Sequence, residues 1–99
     1  MIKVESKIHL LYVDDEEENL ISFKAAFRRN YDVSTAISGA EGLEVLKQKA
    51  IHVIIADQRM PKVTGVEFFD IVRVLHPDPI RILITAYTDV EAIIDSINK

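Results

Sequence analysis

One stretch constrains this chain more than any other: His52-Val53-Ile54-Ile55-Ala56-Asp57-Gln58-Arg59-Met60-Pro61. Its apolar run is short, rich in β-branched residues and soon followed by a proline, which predicts a strand buried on both faces. In an open parallel sheet, ligands sit outside the carboxyl ends of the strands. The run ends in Asp57, so the carboxylate falls where such a sheet places working groups. Two further runs end in polar groups: Ile8–Val13 in Asp14-Asp15, and Ile80–Ile84 in Thr85. Three carboxylates and a hydroxyl are thus delivered to one expected sheet edge.

Helical patterns separate these runs. Leu20, Phe23 and Phe27 repeat at helical spacing after Asp15-Glu16-Glu17-Glu18. Acids open that segment and Arg28-Arg29 close it, which suits the helix dipole. Asp32-Val33-Ser34-Thr35-Ala36 reads as a half-polar strand suited to a sheet edge. Ser38 to Lys49 is a second helix, with Leu43, Leu46 and Ala50 on one face. Gly65 to His76 is a third, with Val66, Phe69 and Val72 in one stripe, widened by Phe68 and Leu75, and Pro77 and Pro79 stop it. Asp89 to Asn98 is a fourth, with Val90, Ile93, Ile94 and Ile97 spaced for one apolar face. Asp15…Glu18, Ser38…Glu41, Thr64…Glu67 and Thr88…Glu91 all have capping-box spacing. The order is βαβαβαβα with short connections, which predicts a doubly wound α/β domain with a parallel sheet and right-handed crossovers.

Composition excludes several classes. A chain of 99 residues allows one domain. A net charge of −4 disfavours a nucleic-acid surface. Without cysteine there is no disulfide framework and no thiolate metal site, and a reducing cytoplasm is the expected setting. No signal peptide or membrane span is visible. His9, His52 and His76 lack metal-ligand spacing and read as structural or solvent-facing.

Three carboxylates at one rim repel one another, and a hard cation such as Mg²⁺ with its oxygen ligands relieves that repulsion. One carboxylate can then stay ionised as a nucleophile toward phosphorus. A hydroxyl such as Thr85 can hydrogen-bond a phosphoryl oxygen, and Ala86 beside it leaves access. Taken singly, each residue has an ordinary reading. Asp14-Asp15 is an acidic helix start, Asp57 begins a turn, and Thr85 ends a strand. Tyr87 is a gating aromatic or a surface ring, and Phe68-Phe69 is core. It is the convergence on a parallel sheet that favours chemistry.

These residues resemble the receiver domain of bacterial two-component response regulators. The resemblance runs from Ile8 to Lys99 and rests on Asp14-Asp15, on Asp57-x-x-Met60-Pro61-x-x-x-Gly65 and on Thr85-Ala86. It implies a flavodoxin-like sheet in order 2-1-3-4. It implies that Asp57 accepts a phosphoryl group from a histidine kinase, a phosphotransfer protein or a small phosphodonor. It also implies that Asp15 and Asp57 bind Mg²⁺ directly with the backbone carbonyl of Arg59, that Asp14 acts through water, and that Thr85 is the switch hydroxyl. Such a domain is a signalling module rather than a turnover enzyme, and its output domain lies outside this chain. The Asp57–Pro61 wording is similar to receivers joined to phosphodiesterase or transcriptional outputs.

The family pattern has five βα units, and this sequence reads as four, without the fifth strand, its lysine or the fifth helix. The expectation is a C-terminally incomplete receiver with impaired phosphorylation, and self-association through the strand-four edge or an uncovered sheet face. The alternative is a non-phosphorylated scaffold for dimerisation or protein interaction. A phosphate-ester hydrolase ranks lower because position 59 is Arg, where a second catalytic Asp would support it. A nucleotide-binding domain ranks lower still because no Gly-rich loop follows the first strand.

Overall fold

The computed structural model describes residues 7–86. The expected fourth helix, its Thr88…Glu91 cap, Tyr87 and Lys99 lie outside the described residues. The order is β1 (Ile8–Val13), α1 (Glu17–Phe27), β2 (Tyr31–Ala36), α2 (Gly39–Gln48), β3 (Val53–Asp57), α3 (Gly65–Leu75) and β4 (Ile80–Ile84). The strands form one parallel sheet, as the βα alternation predicts, in the order β2-β1-β3-β4 that the resemblance implies. This is the flavodoxin-like arrangement.

The register decides which side chains share a face. Tyr12 stands beside Ile55, and Ile55 beside Ile82. Tyr12 stacks on Phe23 of α1 with ring centroids 4.4 Å apart, so this face is the α1 face. The opposite face carries Leu11, Val13, Ile54 and Ala56, which pack with Leu46 of α2 and Phe68 and Val72 of α3. Phe68, Leu11, Val13, Ile54 and Val72 are fully buried there. Each such side chain contributes roughly 1.5–3 kcal/mol by leaving water.

The helices differ from expectation in detail. Phe68, not Phe69, is the centre of the α3 stripe, and Leu75 is exposed. α2 ends at Gln48, so Ala50 falls beyond it and is exposed; the buried positions of α2 are Gly39, Gly42 and Leu46. Thr64 and Glu67 form a complete capping box on α3. Ser38 caps α2 through the Glu41 N–H, while the Glu41 carboxylate reaches back to the Ile37 N–H. Asp15 does not cap α1: the N-cap is Glu16, whose side chain accepts nothing there.

β3 is not buried equally on both faces. Ile54 and Ala56 are buried, whereas Val53 and Ile55 are partly exposed. On β4, Ile80, Ile82 and Ile84 are 63%, 46% and 44% exposed. All three lie on the α1 face, and α1 packs chiefly over β1 and β2. That half of the face has no helix over it among the described residues. His9 and His52, far apart in sequence, meet at the amino end of the sheet: the His9 N–H donates to His52 Nδ1 at 2.9 Å.

Candidate metal and phosphoryl-acceptor site

Parallel strands place their carboxyl ends on one rim, and the register aligns β1 with β3 so that Val13 faces Ala56. The residues that follow, Asp14-Asp15 and Asp57, therefore converge. One oxygen from each of Asp14, Asp15 and Asp57 lies within 4.8 Å of the other two. No other group of three or more potential metal-ligating side chains occurs among the described residues, and no histidine joins this one. Opposite ligands on an octahedral Mg²⁺ are about 4.2 Å apart. The three carboxylates thus bring oxygen donors close enough together to suit a hard divalent cation.

The three carboxylates are not equivalent. Asp14 is only 2% exposed and accepts three hydrogen bonds. The Tyr12 hydroxyl donates to Oδ2 at 2.6 Å, the Asn19 amide donates to the same oxygen at 3.0 Å, and the Glu16 N–H donates to Oδ1 at 2.9 Å. Asp14, rather than Asp15, thereby anchors the start of α1. Asp15 and Asp57 are partly exposed. Burial raises the Asp57 carboxyl above its ordinary range, and the Asp14 and Asp15 charges push it the same way. The Arg59 and Gln58 N–H groups pull it back only in part. Burial likewise raises the Tyr12 hydroxyl, assisted by its bond to Asp14, so Tyr12 stays a proton donor.

The β3–α3 turn holds Asp57 in place through Gln58. The Gln58 N–H donates to the Ile84 carbonyl at 2.9 Å, its carbonyl accepts from the Gly65 N–H at 3.1 Å, and its side chain accepts from the Val66 N–H at 2.9 Å. A Cβ at position 65 would lie 2.7 Å from the Asp57 carbonyl oxygen and 2.5 Å from Leu83 Cδ1, so only glycine lets α3 start this close to β3. Thr85 follows β4 one step beyond Ile84, the register partner of Asp57, and is half-buried on the same rim. Arg59 is exposed in the turn after Asp57. Tyr12, Asn19 and Gln58 were not legible as site residues. Tyr12 reads as a strand residue and Asn19 as a helix surface residue, and neither belongs to the spacing pattern.

Residues 10–99 match the response regulator receiver domain family. The chain belongs to that family. Among curated relatives, the receiver is 39% identical over 90 residues to the hydrogenase transcriptional regulatory protein HoxA of Cupriavidus necator, covering 91% of this chain and 19% of that protein. It is 36% identical over 81 residues to the transcriptional regulatory protein GlrR of Escherichia coli, covering 80% of this chain and 18% of that one. The chain thus spans about a fifth of the length of these relatives. A solved response regulator receiver domain protein from Clostridium thermocellum superposes on the receiver with a TM-score of 0.82 at 28% identity, covering 92% of this chain and 75% of that one. An uncharacterised protein from Neptuniibacter caesariensis superposes with a TM-score of 0.85 at 34% identity, covering 96% and 72%. No helix among the described residues is long and apolar enough to cross a membrane.

Proposed function

We propose that this chain is a phospho-acceptor receiver, in which Asp57 takes a phosphoryl group from a histidine kinase or a phosphotransfer protein. The observation that carries the reading is the convergence of Asp14, Asp15 and Asp57 at the carboxyl rim of a receiver sheet. Asp15 and Asp57 would hold Mg²⁺ together with the Arg59 carbonyl, and Asp14 would act through water. When bound, the cation offsets negative charge on the transferring phosphoryl group. An oxygen of ionised Asp57 attacks phosphorus while the bond to the donor imidazole nitrogen breaks and the nitrogen keeps its electron pair. The Thr85 hydroxyl then donates to a phosphoryl oxygen. The chain would signal by changing charge at one rim rather than by turning over a substrate, in the cytoplasm, for an output domain carried elsewhere.

The test is intact mass after incubation with Mg²⁺ and a small phosphodonor. One added phosphate is expected on the native chain and none on Asp57→Asn, with slower labelling of Thr85→Ala. Equal labelling of native chain and Asp57→Asn would refute the assignment.

A second reading is favoured by the exposed Ile80, Ile82 and Ile84 on β4, the edge strand among the described residues. An unpaired strand edge beside an apolar face promotes pairing with another chain. On this reading the chain self-associates through β4 and serves as a dimerising scaffold, whether or not Asp57 is phosphorylated. Light scattering should show a concentration-dependent increase in mass, and Ile82→Lys should shift the population to monomer. A monomer across the full concentration range would dismiss it.

A further inference from the structure

We propose that Tyr12 and Asn19 are positioning residues for the cation site, acting through Asp14. This inference rests on the reading of the acidic cluster as a divalent site. An ionised carboxylate has about four acceptor positions, two per oxygen. On Asp14 the Tyr12 hydroxyl and the Asn19 amide occupy both positions of Oδ2, and the Glu16 N–H occupies one on Oδ1. A single acceptor position therefore remains, on Oδ1. Asp14 cannot chelate through both oxygens, and its rotation is locked by donors from three segments: β1, the connecting turn and α1.

The lock has a physical purpose in this chain. Asp14 is buried, so without donors its charge would be poorly solvated and would press on Asp57. The 2.6 Å bond from Tyr12 is of the short, charge-assisted kind. Tyr12 is itself held, because its ring stacks on Phe23, and Phe23 lies 4.7 Å from Phe27. Asn19 brings in the first turn of α1, which has no side-chain cap of its own. Groups that orient a carboxylate holding the metal through water set metal affinity although they never touch the metal.

The experiment is a calorimetric Mg²⁺ titration of the native chain, Tyr12→Phe, Asn19→Ala and Phe23→Leu, with urea unfolding of each in the absence of metal. Tyr12→Phe keeps the ring and removes only the donor, so its Kd for Mg²⁺ should rise about tenfold or more. Asn19→Ala should weaken binding in the same direction. Phe23→Leu should lower stability and raise the Kd less than Tyr12→Phe does, because both donors to Asp14 remain and only the stacking that holds Tyr12 is lost. Asn19 is exposed, so Asn19→Ala keeps the core and decides the matter if Tyr12→Phe does not fold. A Kd unchanged in Asn19→Ala, or in a folded Tyr12→Phe, overturns the inference and leaves the cation site standing. A native chain that takes up no Mg²⁺ removes the site and this inference together.

Discussion

Asp57→Asn should be more stable than the native chain in chelator and less stable than it in excess Mg²⁺. The folded state holds the Asp57 carboxyl above its ordinary range, chiefly through burial and then through the charge of Asp14. Below that ordinary range the carboxyl is protonated in both folded and unfolded chains, and Asp57 costs nothing. As pH rises toward and through the elevated value, the unfolded chain ionises first and stability is lost. Above the elevated value the full penalty is present, and the neutral amide removes it. Mg²⁺ reverses the order, because a ligand that binds only the folded state stabilises it by about 2.7 kcal/mol at one hundred times its Kd. For a chain of this size that is a rise in Tm on the order of 10 °C. Thermal melts of both proteins in chelator and in Mg²⁺, repeated near pH 3 where the apo difference should vanish, check the whole cycle. The same rank order in both conditions would contradict it.

The second large effect is in the core. Phe68 is fully buried between the sheet and α2, and Phe68→Ala should cost about 3–5 kcal/mol. That is a large share of the roughly 5–15 kcal/mol that holds a domain together. The urea midpoint should fall far enough that part of the population is unfolded before denaturant is added. Gly42 supplies an internal control. A Cβ there would lie 3.0 Å from Phe68 Cζ and 3.2 Å from Val13 Cγ2, so Gly42→Ala in the native chain should cost about 1–3 kcal/mol. In the Phe68→Ala background the same methyl enters vacated space, and alanine favours the helix by about 1 kcal/mol over glycine. The two changes together should therefore cost less than their sum. Strict additivity would mean that α2 does not approach Phe68 as closely as described.

Much of this molecule was visible before any coordinates. The four strand-like runs became β1 to β4; their alternation with helical patterns predicted the parallel sheet, and the receiver resemblance implied its 2-1-3-4 order. Residues at strand ends were the right place to look, since the parallel arrangement itself brings Asp14, Asp15 and Asp57 to one rim. Local signals served well where the physics is local: the Thr64–Glu67 box needs only a helical first turn, and it formed. The Asp15…Glu18 pair had the same spacing and failed. Asp14 holds the Glu16 N–H instead, which moves the N-cap to Glu16. A spacing rule cannot see which of two adjacent carboxylates turns inward.

The sequence by itself determined the fold class and the identity of the acidic triad, because these follow from periodicity and chain direction; the strand order came from the likeness to receivers. Only the tertiary structure decided how the triad is divided. Packing of α1 over β1 brings Asn19 and the Tyr12 hydroxyl to one oxygen of Asp14, while Asp15 and Asp57 stay partly exposed. It also decided that Phe68 rather than Phe69 fills the core, and that Ile80, Ile82 and Ile84 face a side where α1 does not reach. Hydrogen bonds between side chains and the fit of a ring between helices depend on distances across the sheet, and no pattern along the chain encodes those directly.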